Sequence, residues 1–459
     1  MPQSPWVPGP LPEGRPTYVG LADVLAGDIA RGRLRAGDRL PTHRHLARTL
    51  GVTVGTVARA YAEAERRGLV GGEVGRGTFV RSGFGLADAP AATEVDLASL
   101  HPPITDDVDP AALLGATLAA LACDPRALRS VTDTERGKDL PAHRAAAAAW
   151  VARAGFRPPP ERVVLTAGAQ HALTAALLAV AAPGQVATTP LTNPGLIAAA
   201  RQLSVPVVAV ESDEDGMLPD ALADVCAAGR VTLVHLQPTL ANPSGRTMPA
   251  SRRAALAEVC ARANVWVLED DPLGPLAAEG PDPVAALLPD RTCLVTSTAK
   301  ALALGLRIGV VVAPEAAGPD LVAAVRATTW LTAPLLGEVL TRWVDEGTAD
   351  RIAGARRAAV RRRNAMATEI LAGLGVRPDP AAPHLWLPLP EPWGVGQFTA
   401  AARDAGVLVS PGDEYTTSRR QSAFGVRVGL NADVDDDALR RALLSLVGLL
   451  HTSPRGPNG

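Results

Sequence analysis

Six short, almost uninterrupted apolar runs lie between residues 162 and 298: RVVLTAG, QVATTP, VPVVAV, VTLVHLQ, VWVLEDD and TCLVTST. Longer stretches of helical periodicity separate them. A strand that is apolar on both faces has to be covered on both faces, so the pattern predicts a mostly parallel sheet between layers of helices. Polar residues collect just after several of these runs, at the carboxyl ends of strands, where open α/β sheets form ligand sites. From about 350 to 450 the pattern changes. An Arg-rich helical stretch and the runs HLWLPLP, GVLVSPG and GVRVGL predict a smaller α+β unit.

The first eighty residues read differently. YVGLADVLAGDIARGRL places apolar residues at helical spacing and stops near Gly32; AGDRLPTHRHLARTLGV supplies a turn, a cap at Thr42 and a short helix. TVGTVARAYAEAERRGLV is a third helix, capped near Thr53 and closed by Gly68, and two β-like pieces joined through EVGRG follow it. Helix, helix–turn–helix and hairpin make a winged-helix layout. Residues 1–85 hold 12 Arg against 7 Asp/Glu, whereas the remainder is net acidic. A basic module on an acidic body predicts a duplex DNA partner for that module alone. The leading end of the third helix, with Thr53, Gly55, Thr56 and Arg59, is expected to face base edges. Arg44 and Arg48 precede it, and Arg76 and Gly77 form the wing tip.

This stretch resembles the GntR family of bacterial transcription regulators over residues 18–81. Val54 and Ala58 stand where that family usually has arginines, so the resemblance does not carry an operator sequence across. Behind it, SGFGLADAPAATEVD has no periodicity and reads as a tether. The expected division is a tail at 1–16, a winged helix-turn-helix at 17–82, a linker at 83–95 and a body at 96–459. The body's large part spans about 96–345 and its small part about 350–450.

The strand ends of the body carry a set of complementary groups. After RVVLTAG, the backbone N–H groups of Ala169 and Gln170 at a helix start would cradle an anion. NPSG holds Asn242, an amide able to donate to a phenolate or carbonyl oxygen. VWVLEDD ends in adjacent carboxylates, unfavourable without a positive partner; Asp270, with Asp271 as the weaker candidate, is assigned to a protonated pyridine nitrogen. The chain contains 43 arginines and two lysines, Lys138 and Lys300. Guanidinium stays protonated, so Lys300 is the residue able to form a Schiff base with an aldehyde. Ser297 and Arg307 around it suit a phosphate, and Arg427 in FGVRVGL suits a carboxylate.

An amine nucleophile, phosphate donors, an oxygen donor and a pyridinium counter-charge describe a pyridoxal phosphate site. The order GAQ, NPSG, EDD, S-x-x-K, LRIG, RVG resembles the fold-type I aminotransferases over residues 96–450, and both halves together resemble the MocR-type branch of the GntR regulators. That resemblance implies a homodimer with each cofactor pocket at the subunit interface, commonly arranged head to tail. Three aromatic positions of the aminotransferase pattern are replaced, by Val131, by Asn193 and by Pro272 or Leu273, which favours a sensor over an enzyme. The expected function is a pyridoxal phosphate-dependent regulator responding to the cofactor or to an amine or amino acid. An active aminotransferase and a regulator with a cofactor-free effector domain are the alternatives. The four cysteines form no C-x-x-C pair and no metal-ligand spacing is visible. No apolar stretch reaches the roughly 18 residues of a membrane span, so a soluble cytoplasmic protein is expected.

Overall fold

The computed structural model describes residues 6–9, 16–31, 33–34, 38–73, 77–80, 94–101, 108–132, 140–153, 155–181, 184–277, 279–417, 423–430 and 434–452. Most of the expected tail, linker residues 83–93 and Arg76 lie outside the described residues. The winged helix forms as the sequence predicts, from α1 (Thr17–Ala30), α2 (His43–Leu50), α3 (Val54–Arg66), β1 (Val70–Glu73) and β2 (Gly77–Val80). Thr42 and Thr53 start α2 and α3 by accepting the N–H groups of His45 and Thr56, and Gly51, at φ 65°, ends α2 in the left-handed region that glycine tolerates. Leu21, Leu25, Leu46, Val57 and Tyr61 fill the core between the helices. The antiparallel β1–β2 hairpin pairs Val70 with Val80.

The body begins with β3 (Val95–Asp96), which pairs in parallel with a strand from the small part. The last residue of the sequence-defined linker is thus already part of the fold. Helices α4 (Pro110–Ala122), α5 (Pro125–Thr132) and α6 (Pro141–Val151) follow, then β4 (Val163–Thr166), α7 (Ala169–Val180), β5 (Gln185–Thr188), α8 (Pro194–Gln202) and β6 (Val207–Ala209). A small hairpin, β7 (Ser212–Asp213) and β8 (Gly216–Met217), leads to α9 (Pro219–Ala227), β9 (Val231–Leu236), α10 (Ala250–Ala263) and β10 (Trp266–Asp270). The large part closes with α11 (Val284–Leu287), β11 (Thr292–Ser297), β12 (Gly309–Val312), α12 (Gly318–Thr328) and α13 (Pro334–Asp345).

These strands make one seven-stranded sheet in the order β4-β12-β11-β10-β9-β5-β6. All neighbouring pairs are parallel except the two made by β12. The six apolar runs are the six parallel strands. The seventh strand, β12, comes from GVVV, which is not among those six runs. Every residue of β11 and β12 is buried, as expected of a sheet covered on both faces. No single helix among the described residues is long and apolar enough to cross a membrane; α4 and α5 pass only as a pair bent by 97°.

The long helix α14 (Thr348–Ile370) leads to the small part: β13 (His384–Pro388), α15 (Val395–Asp404), β14 (Val407–Leu408), β15 (Ser410–Pro411), β16 (Gly425–Gly429) and α16 (Asp436–Leu450). β16 lies between β13 and β15, antiparallel to both. Beneath the site, buried Arg253 of α10 donates to the carbonyls of Pro238, Met248, Pro281 and Asp282 and to Thr239 Oγ1. It thereby anchors both ends of the 238–248 loop that carries Asn242. Arg253→Ala should leave several buried carbonyls without donors and cost about 3 kcal/mol. The check is the urea midpoint of the body's unfolding transition, which should fall clearly; an unchanged midpoint would contradict this role.

Candidate functional site

At one pole, β4 runs into Gly168, which precedes α7 at φ 87° and offers no side-chain cap. The first N–H groups of α7, including those of Ala169 and Gln170, have no partner within the helix. A Cβ at Gly168 would lie 2.7 Å from the Arg307 guanidinium, so glycine lets that cation close over the helix start. Register places Ser297, Gly309 and Thr166 in one row across β11, β12 and β4, which brings buried Ser297 within two strand spacings of the same spot. The Gln170 side chain is otherwise engaged, donating to Gly195 O at 2.9 Å. Free N–H groups, a hydroxyl and a guanidinium suit a phosphate dianion.

At the opposite pole the acidic pair splits, because neighbouring residues at a strand end point to opposite sides. Asp271 turns away to Arg153, 2.7 Å off; burial pushes its carboxyl above the ordinary value, and that arginine opposes the shift. Asp270, also buried, accepts from Asn193 Nδ2 at 2.7 Å, Gln237 Nε2 at 3.2 Å and His235 Nε2 at 3.4 Å. His235 Nδ1 contacts the Thr188 hydroxyl at 3.0 Å, an arrangement in which Nε2 carries the proton given to Asp270. Glu269, the third acid of the run, caps α11 through the N–H groups of Val284 and Ala285. Its carboxyl is pushed up to about 7 by burial and by Asp271.

Between the poles lie Lys300 and Arg427. Lys300 Nζ donates to Leu100 O at 2.5 Å. Burial, then the positive charges of Arg427 and Arg307, push its amine down to about 8. Arg427 donates to Asn242 Oδ1 at 3.1 Å and to Ala98 O, its guanidinium lies 5.4 Å from the centre of the Tyr415 ring, and its Nε is buried without a partner. With Asn242 Oδ1 committed to Arg427, the amide nitrogen is the atom left to meet a ligand oxygen. His384 is fully buried and donates through Nε2 to Ala241 O at 3.1 Å. Burial and the Arg427 charge push it down to about 3, so it is neutral and Nδ1 keeps a bare lone pair.

The structure therefore brings Lys300, Arg427, Asn242, Arg307 and Ser297 around the strand ends, with Asp270 and Asn193 at the far pole. It separates Asp271 from them. It adds residues that the motifs did not give: His235, Gln237, His384, Tyr415 and the carbonyls of Ala98 and Leu100. Tyr415 is one of three tyrosines in the chain, and its hydroxyl meets Ser410 Oγ at 2.7 Å. At the eroded positions, Leu273 is packed in the core and Val131 lies near the end of α5. Asn193 both caps α8 through Gly195 N–H and serves Asp270.

In the winged helix, Arg44, Arg48, Thr53, Gly55 and Arg59 are exposed. Arg59 lies 5.5 Å over the Tyr18 ring, and Thr53 Oγ1 and Thr56 Oγ1 are 2.8 Å apart. Gly77 begins β2.

Against known proteins, residues 17–80 match the bacterial regulatory proteins of the gntR family and residues 126–446 match aminotransferase class I and II. The chain is 26% identical over 451 residues to the HTH-type transcriptional regulator YdeF of Bacillus subtilis, covering 97% of this chain and 96% of that one. It is also 26% identical over 429 residues to the vitamin B6 salvage pathway transcriptional repressor PtsJ of Salmonella typhimurium, covering 91% and 95%. An archaeal alanine:glyoxylate aminotransferase superposes with a TM-score of 0.71 at 21% identity, over 78% of this chain and 90% of that one, a likeness of fold.

A neutral amine is the nucleophile, and the lowered value of Lys300 has a definite sign. The neutral fraction, and with it the rate of aldehyde capture, should climb with pH and level off above about 8. Stopped-flow absorbance after mixing with pyridoxal phosphate reads this directly. A rate still rising at an ordinary lysine's 10.5 would contradict the assignment.

Proposed function

The chain belongs to the class I and II aminotransferases by its body and carries a gntR-family winged helix before it, which makes it a transcription regulator of the MocR-type architecture, and from that premise we propose that the body is a sensor of an amine or amino acid. Pyridoxal phosphate is the cofactor of such a body, and the two poles described above match its phosphate and its ring nitrogen. When bound, it supplies an aldehyde carbon that condenses with amines and a ring that withdraws electrons.

The roles of this chain's own residues follow. Ala169 and Gln170 N–H, Ser297 and Arg307 hold the phosphate, and Asp270 holds the ring nitrogen. Asn242 meets the phenolic oxygen, Asn193 steadies Asp270, Lys300 supplies the amine, and Arg427 grips an effector carboxylate. The observation that carries the sensor reading is that Lys300 and Arg427 both donate to one short segment, through Leu100 O and Ala98 O. Leu97 N–H and O tie the same segment to Leu408 and Gly429, and it follows β3 directly. An aldehyde at Lys300 or a carboxylate at Arg427 competes with those carbonyls. Ligand binding therefore acts on the segment where the chain arrives from the DNA-binding domain, and it shifts a domain arrangement only through such a difference in contacts.

The DNA-binding domain at 17–82 is joined through a linker to a body that begins with β3 at Val95, one residue earlier than the sequence-based boundary of 96–459. Arg44, Arg48, Thr53, Gly55, Thr56, Arg59, Arg76 and Gly77 face duplex DNA, which puts the protein's work in the cytoplasm. We further infer a homodimer. Exposed Leu304, in the loop after Lys300, and exposed Trp330 and Leu335 support a second copy beside the site. PtsJ's name ties that relative to vitamin B6, which supports the cofactor itself as one candidate effector.

The test uses the full chain and the DNA upstream of its own gene. In the wild type, pyridoxal phosphate should give a visible absorbance band and change the affinity for DNA. Lys300→Ala should lose both while still binding DNA, and retention of both would overturn the reading. Among amino acids that shift the band, Arg427→Met should weaken binding by about 10- to 100-fold. Amines without a carboxylate should be unaffected; an equal loss for both classes would contradict the role of Arg427. Turnover of a 2-oxo acid would support an enzyme instead.

A further inference from the structure

Val54 is the first residue of α3 and is 47% exposed, at the end of the helix that enters a major groove. The other side chains there are engaged. The Thr53 hydroxyl accepts the Thr56 N–H at 3.1 Å and also meets the Thr56 hydroxyl, so both are used in starting the helix. Arg59, more than a turn further on, is drawn back over Tyr18 of α1. Gly55 has no side chain, and a Cβ built there would meet only Thr53 Oγ1, at 3.8 Å. The leading end of α3 therefore presents an exposed, unengaged isopropyl group with open approach beside it, and Ala58, one turn on, adds only a half-buried methyl.

An isopropyl group neither donates nor accepts a hydrogen bond. Guanine, cytosine and adenine present polar atoms in the major groove, and covering one with Val54 would strip its water without return. Thymine alone offers an apolar group there, its C5-methyl. We propose that Val54 is a specificity-determining residue that reads a thymine by methyl contact, so that each half-site carries an A·T pair beneath the start of α3. Arg44 and Arg48, exposed on α2, supply sequence-independent contacts to phosphate. The proposal rests on α3 being the helix that reads DNA.

The full-length protein first selects duplexes from a random-sequence pool. Each thymine of the selected site is then replaced by deoxyuridine, which removes the methyl and keeps the base pairing, and binding is followed by fluorescence anisotropy at fixed salt. One thymine per half-site should be sensitive, its replacement weakening binding about 3- to 5-fold. That sensitivity should vanish in Val54→Ala and persist in part in Val54→Thr, which keeps one methyl. Three results would overturn the proposal: no enriched sequence, no deoxyuridine-sensitive position, or a sensitivity unchanged in Val54→Ala. Failure of the wild type to bind any duplex would instead remove the DNA-reading role of α3 itself.

Discussion

Three cations share the ligand site, and none is paired with a carboxylate among the described residues. Lys300 and Arg427 rest on backbone carbonyls of one segment, while Arg307 lies over the start of α7. The burial of Lys300, then the positive charges of Arg427 and Arg307, make the lysine easier to deprotonate. Asp270, at the far pole, is served by the neutral donors Asn193 and Gln237. Such an excess of positive charge suits anionic ligands, the phosphate of pyridoxal phosphate among them. The strand register and the glycine at 168 hold the phosphate end together, and the buried network of Arg253 holds the loop between.

Much of this was legible in the sequence because the signals are local. Threonine caps, the glycine closing α2 and the apolar runs act within a few residues, and the winged helix and the six parallel strands follow from them. What was hidden is non-local. The sequence ranks Asp270 ahead of Asp271, but it does not show Arg153, remote in sequence, as the partner to which Asp271 turns. Tyr415 and His384 belong to no motif and become neighbours of Arg427 only when β13, β15 and β16 pair within the small part. The strand β12 was missed because GVVV follows a glycine-containing loop and runs against its neighbours, so the alternation of strand and helix did not announce it. The segment at 97–100 has no composition that marks it; its carbonyls matter because of what lies opposite.

The eroded positions bear on what the site is for. With Asn193 at the place of a ring, the Asp270 carboxylate keeps a donor, but no aromatic face is provided there. Leu273 is buried in the core, and the Tyr415 hydroxyl is held by Ser410, so neither offers a phenol to the ligand oxygen. Asn242 accepts from Arg427 through its amide oxygen, so its nitrogen is the atom able to donate to a ligand.

The central claim is that Lys300 is the point at which the cofactor joins this chain, and the composition makes it testable with little ambiguity, since Lys138 is the sole other lysine. The full-length protein is incubated with pyridoxal phosphate, reduced with borohydride, digested and mapped by mass spectrometry. The account predicts one reduced pyridoxyl group per chain, on the peptide containing Lys300. A label on Lys138, or a chain that takes no label while remaining folded, would contradict it.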